Sequence, residues 1–159
     1  MIERLYEAHL PVKDLVCSIQ FYQSLGLELA WEGDGIAFIW IERHKSWLGL
    51  WEGEEYLTEY HPSLRHVAFR IPFEEMENSV NWLHSKGIEA VPFGNRGSVK
   101  PFVRPNQGNA SVYFKDPDGN SLEFMSFVSV PDELKQEDGK IEMTKWMELV
   151  RLRGEEDTW

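Results

Sequence analysis

Three side chains in this sequence are of the kinds that hold divalent metals: His9 in RLYEAHLPV (4–12), His66 in SLRHVAFRI (63–71) and Glu123 in NSLEFMSF (120–127). Each lies in a run whose apolar residues alternate, the period of a β-strand. Alternation separates Val67, Phe69 and Ile71 from His66 and Ala68, and Leu122 and Phe124 from Glu123. In the first run it puts Tyr6, Ala8 and Leu10 on one side and Leu5, Glu7 and His9 on the other. If helices cover the apolar faces, both imidazoles and the carboxylate look into whatever the strands enclose. A carboxylate withdrawn from water needs a cation or hydrogen-bond donors. Two neutral imidazoles and one carboxylate form a three-ligand set with open positions, the pattern of a catalytic zinc, manganese or non-haem iron site rather than a closed structural one. The other histidines fit less well: His44 lies in the turn-like RHK, His61 precedes Pro62, and His84 falls on the polar part of a helix. All three are expected at the surface.

The elements that must position these groups form a repeating order. RLYEAHLPV reads as a strand, with Pro11 confining it to an edge or a strand end. KDLVCSIQFYQSLG (13–26) spaces Leu15, Ile19, Tyr22 and Leu25 as a helix does and ends on Gly26, where a left-handed cap belongs. LELAWE (27–32), GIAFIWIER (35–43) and SWLGLWE (46–52) are three short strands separated by turn-prone residues. The second half repeats this: SLRHVAFRI as a strand, FEEMENSVNWLHSKG (73–87) as a helix capped by Gly87, and IEAVPF (88–93) as a strand. GNASVYFK (108–115) and NSLEFMSF then flank DPDG, a tight turn. Gly26 and Gly87, like His9 and His66, recur at a step of about 60 residues, which points to an internal duplication. The pattern predicts an α+β fold.

Between Phe93 and Ala110 lies a Gly-, Pro- and Asn-rich loop carrying Arg96, Lys100 and Arg104, basic residues in an acidic chain. It reads as a solvated loop or as a lid that meets an anionic substrate. After Pro131 a polar linker leads to GKIEMTKWMELVRLRG (139–154), a short amphipathic helix through Ile141, Trp146, Leu149 and Val150 that could cover the sheet or a neighbouring subunit. The organisation expected is a single domain over 1–130, with modules at 4–53 and 63–128, followed by a linker and helix over 131–159.

At 159 residues and 42% apolar content the chain can fill one core. A net charge of −11 argues against a nucleic-acid partner and against docking on an anionic membrane. No window approaches the roughly 18 apolar residues of a membrane span, and MIERLYEAH carries charges where a signal peptide needs an apolar stretch. A cytoplasmic location is therefore expected. The lone cysteine, Cys17, is read as packing. Seven tryptophans suit a broad apolar cavity or an interface.

AHLPVKDLVCSIQFYQSLGLEL, LRHVAFRI and above all YFKDPDGNSLEF resemble the vicinal oxygen chelate superfamily of glyoxalase I, bleomycin-resistance proteins, fosfomycin-resistance thiol transferases and extradiol dioxygenases. The likeness covers about residues 4 to 128. It implies paired βαβββ modules forming cupped mixed sheets, helices outside, around a divalent metal (Mn, Zn, Fe, Ni or Mg) chelated by adjacent oxygens of a small-molecule substrate. His9, His66 and Glu123 match three ligand positions. Gly49 stands where glyoxalase I resembles this chain but carries a further glutamate; a shifted alignment would put Glu52 there instead. In ligand pattern the chain is most similar to the fosfomycin-resistance branch, where Trp47, Ser111 and Tyr113 match positions lining the substrate site. That branch's threonine is Pro11 here, and its arginine after the glutamate is missing from FMSFVSVPDELK, so Arg96, Lys100 or Arg104 would have to meet an anionic substrate. The resemblance to extradiol dioxygenases gives Tyr113 a further role, as a donor or acid beside the metal. It also implies a homodimer, and either an enzyme of lyase, thiol transferase or dioxygenase type or a metal-free, bleomycin-resistance-like protein that sequesters an aromatic compound.

Overall fold

The computed structural model describes residues 6–54, 65–93, 97–137 and 139–156, with side chains to Arg151. It comprises two compact units, Met1–His66 with Lys115–Ser121, and Val67–Phe114 with Leu122–Trp159. His61 and Arg96 lie outside the described residues.

The first unit contains β1 (Glu7–Val12), α1 (Leu15–Ser24), β2 (Glu28–Gly33), β3 (Ile36–Glu42) and β4 (Ser46–Glu52). Its sheet runs β1-β4-β3-β2, with β1 parallel to β4 and the other junctions antiparallel. Strand alternation sends Leu10, Val12, Ala37, Ile39, Leu48 and Leu50 into a core shared with Leu15, Ile19 and Tyr22 of α1. Asp14 caps the helix by accepting from Cys17 N at 2.8 Å, and Glu52 Oε1 accepts from Leu15 N at 2.9 Å. Gly26, at φ +91°, supplies the left-handed residue after the helix that its sequence position predicts. Cys17 itself is exposed rather than packed, because it lies on the outer side of α1.

The DPDG turn belongs to this unit and is fastened by its acids. Asp116 accepts from Tyr22 Oη (3.0 Å), Asn120 N (2.8 Å), Asn120 Nδ2 (2.7 Å) and Asp118 N (3.0 Å). Asp118 accepts from Lys13 N at 3.0 Å and Ser18 Oγ at 3.2 Å. Tyr22, Ser18 and Asn120 have no exposed surface. Burial, with Asp116 next in rank, pushes the Tyr22 phenol well above its ordinary range, so it stays a donor.

The second unit holds α2 (Phe73–Met76), α3 (Ser79–Ser85), β6 (Ala90–Val91), β7 (Phe102–Arg104), β10 (Ile141–Glu142) and α4 (Met143–Glu156), with nearly all of β5 (His66–Arg70), β8 (Asn109–Lys115) and β9 (Ser121–Phe127). The strand order is β10-β7-β8-β9-β5, with β6 also on β8. The path β5-β9-β8-β6 repeats β1-β4-β3-β2, as the duplicated pattern predicts. The structure is thus α+β, two open sheets with helices and no closed barrel.

Three stretches differ from expectation. The helix over 73–87 is two pieces, because the Ser79 hydroxyl donates to the Met76 carbonyl at 2.7 Å and competes with the helical bond there. The Phe93–Ala110 loop contains β7 and a 3₁₀ turn at Pro105–Gln107. The C-terminal helix starts at Met143, since Ile141 and Glu142 first pair with Val103 and Phe102. Met143 and Trp146 are buried, and α4 packs on β7 of its own unit, while Met147 and Val150 stay exposed. Among the described residues no helix is long and apolar enough to cross a membrane.

Candidate functional site

In the second unit, residues predicted at scattered sequence positions converge. Ser111 and Tyr113 project from β8 on the same side by alternation, and Arg104 ends the neighbouring strand β7. Arg104 donates through Nη1 to Ser111 Oγ at 3.1 Å and through Nη2 to Tyr113 Oη at 3.2 Å. Glu123, on β9, is 2% exposed; its Oε1 lies 3.9 Å from Arg104 Nη1, and its carboxylate also hydrogen-bonds the Tyr113 hydroxyl. Tyr113 therefore faces Glu123. Burial of the phenol raises its pKa above the ordinary 10.0, the Arg104 bond opposes this, and the charge of Glu123 raises it further. At neutral pH Tyr113 keeps its proton and can donate it.

Aromatic rings wall this polar cluster. Phe102 stacks on Tyr113 with ring centroids 6.3 Å apart, Phe93 lies 5.2 Å from Tyr113, and the Arg104 guanidinium carbon is 4.6 Å from the Phe102 centroid and 5.0 Å from that of Phe93. The Lys140 ammonium lies over the same two rings, 4.0 Å from Phe93 and 4.7 Å from Phe102. Sequence reasoning missed Lys140; its only local signal was one more cation at the start of the expected C-terminal helix. Lys100, by contrast, is turned to the surface and paired with Glu142 at 2.7 Å.

In the first unit, His9 lies on an open aromatic face. Its pair partner across the ladder is Gly49, and a Cβ there would stand 2.3 Å from His9 Nδ1. The imidazole occupies the space a side chain at 49 would fill, so any side chain there would displace the His9 ring. Glu52 is no substitute, because it caps α1. Trp51 Nε1 donates to His9 Nδ1 at 2.6 Å, and Glu7 Oε1 lies 3.4 Å from His9 Nε2. Trp47 donates to Glu7 Oε2 at 2.8 Å and packs against Tyr6, Phe38 and Trp40. His66 opens β5 with its Nδ1 3.2 Å from Ser121 Oγ, two residues before Glu123 on β9. His44 and His84 are exposed, as expected.

Gly49→Ala is expected to push the His9 ring off β4 and break its bond to Trp51, with little change in Tm because His9 is partly exposed. A shift of the Trp51 indole N–H resonance would register it, and an unmoved resonance would refute the cradle.

Among the described residues no three His, Cys, Asp or Glu side chains stand as a ready metal cluster. The chemistry of the donors nonetheless suits one. The Ser121 hydroxyl on His66 Nδ1 is the kind of outer-shell partner that orients a ligating imidazole. The Trp51 bond fixes the neutral His9 proton on Nε2, so His9 can ligate there only after that exposed indole turns away.

The chain belongs to the glyoxalase/bleomycin resistance protein/dioxygenase superfamily, whose model matches residues 4–124. Within it, the chain is 30% identical over 114 residues to metallothiol transferase FosB of Staphylococcus epidermidis, covering 70% of this chain and 73% of that protein. It is 28% identical to FosB of Staphylococcus saprophyticus over 94% of this chain and 95% of that one. Among solved structures, the fosfomycin resistance protein FosX of Listeria monocytogenes, complexed with Mn(II) and sulfate, matches with 26% identity and a TM-score of 0.58, covering 85% of this chain and 96% of that one.

Proposed function

We propose that this protein is a divalent-metal-dependent transferase that adds a thiol to a small anionic substrate, with His9, His66 and Glu123 as metal ligands. The observation that carries this reading is the buried cluster of Glu123, Arg104, Tyr113 and Ser111, a carboxylate ligand candidate beside donors suited to an anion. Its relatives, named as metallothiol transferases and fosfomycin resistance proteins, point the same way.

A bound divalent ion would act as a Lewis acid on adjacent substrate oxygens. The chain's own groups do the rest. Arg104 fixes both hydroxyls, and once a metal engaged Glu123 the Tyr113 proton would be released toward negative charge developing on a substrate oxygen. In the transfer, a thiol sulfur bonds to substrate carbon, a carbon–oxygen bond breaks, and that oxygen takes up the proton the thiol lost. The buried Phe102 ring keeps water from one side of the cluster. Trp47 and the aromatic face around it would hold the apolar part of a substrate; that face also favours a second reading, metal-free sequestration of an aromatic compound.

Metal analysis of untagged protein separates the two. About one ion per chain is expected for the wild type, and much less for His66→Ala. Stoichiometric metal in His66→Ala would refute the ligand set. We further propose a homodimer with shared sites. Mixing His9→Ala and Glu123→Ala chains should then restore up to about a quarter of the sites; no recovery would refute the sharing.

A further inference from the structure

We infer that Trp51 is a positioning residue for His9, an indole latch that competes with a divalent ion for the imidazole and so sets how readily His9 takes up metal. The inference deepens the proposed function and rests on His9 being a ligand.

The latch follows from the pairing of β1 with β4. In the register Glu7↔Trp47, His9↔Gly49 and Pro11↔Trp51, strand alternation puts Glu7 and His9 on one face with positions 47, 49 and 51. Gly49 leaves a gap in that row, and the imidazole fills it: a Cβ at 49 would stand 2.3 Å from Nδ1 and 2.7 Å from Cε1. The residues on either side of the gap then reach the ring. Trp51 Nε1 donates to Nδ1 at 2.6 Å, with the ring centroids 5.7 Å apart. On the other side Trp47 Nε1 donates to Glu7 Oε2 at 2.8 Å, and Glu7 Oε1 stands 3.4 Å from His9 Nε2.

An indole N–H can only donate, and a neutral imidazole has one unprotonated ring nitrogen. Trp51 therefore takes the lone pair that a metal would need, and the Glu7 carboxylate beside Nε2 favours the proton on that side. Ligation by Nδ1 requires the indole to leave. Ligation by Nε2 requires the proton to move to Nδ1, which expels the indole as well. Either route costs the same hydrogen bond. Trp51 is 47% exposed, so its N–H can turn to water without opening the core. The latch then weighs as one hydrogen bond exchanged for water, about fivefold in metal affinity.

The test uses the whole chain, stripped of metal and titrated with zinc against a chromophoric chelator. Trp51→Phe keeps a ring but has no donor, and should bind zinc about fivefold more tightly than wild type. Trp51→Leu should do the same, because the donor and not the ring closes the latch. Trp31→Phe, which alters an exposed indole of β2 that packs on Phe38 instead, should bind zinc as wild type does. In nitrogen-15 spectra of the wild type, the Trp51 indole N–H resonance should move as zinc is added, and should be displaced likewise in metal-free His9→Ala. Equal or weaker zinc binding by Trp51→Phe or Trp51→Leu, an equal gain in Trp31→Phe, or a Trp51 resonance unmoved at zinc saturation would each overturn the latch. If zinc binding falls in His9→Ala but is unchanged in Trp51→Phe, the ligand stands and the latch alone fails. If His9→Ala binds zinc as wild type does, His9 is no ligand and both fail.

Discussion

Glu123→Gln is expected to take the metal content from about one ion per chain to less than about a tenth, and to remove activity with it. The neutral amide keeps the shape but is a far poorer ligand. A second effect is independent of any metal. Arg104, 12% exposed, loses the carboxylate 3.9 Å away, and leaving a buried charge without its partner costs about 3 kcal/mol. A third follows from sign: Glu123's charge and hydrogen bond both raise the Tyr113 pKa, so in the variant the phenol should titrate at lower pH than in the wild type. Phenolate absorbance measures this directly. A variant that held its metal and left the Tyr113 titration unmoved would dissolve the cluster as described.

Asp116→Ala should destabilise the protein by about 3 kcal/mol in urea unfolding, because it orphans the buried Tyr22 hydroxyl, leaves the Asn120 side-chain amide only its long bond to the Pro11 carbonyl and frees two turn N–H groups. Tyr22→Phe removes a single bond and should cost about 1 kcal/mol. The carboxyl of Asp116 is raised from its ordinary 3.8, chiefly by burial, against the lowering by its donors. A raised folded-state pKa means that the unfolded chain ionises first as pH rises. This group's contribution is therefore full below about pH 4 and is lost as pH climbs through the raised folded value. Asp116→Asn should flatten that part of the stability profile; a profile with the wild-type slope would show that other acids set it.

Much of the scaffold could be read from local pattern. Alternation in RLYEAHLPV and SLRHVAFRI located both histidines on strands, and Gly26 and Gly87 ended their helices at positive φ, because such signals sit within a few residues of their effects. Ser111, Tyr113 and Arg104 were legible as candidates, but their shared hydrogen bonds were not, since these depend on the β7–β8 register. Lys140 was invisible for the same reason. Two-residue strands such as β10 carry no periodicity, and only a partner some forty residues away gives them a place. The break at Glu77 and Asn78 was hidden by an apolar spacing that either one helix or two could satisfy.

The contact between His9 and Gly49 also constrains how this protein could change its chemistry over time. A carboxylate introduced at position 49 would overlap the His9 imidazole, so gaining an acid there by one codon would displace the histidine in the same stroke.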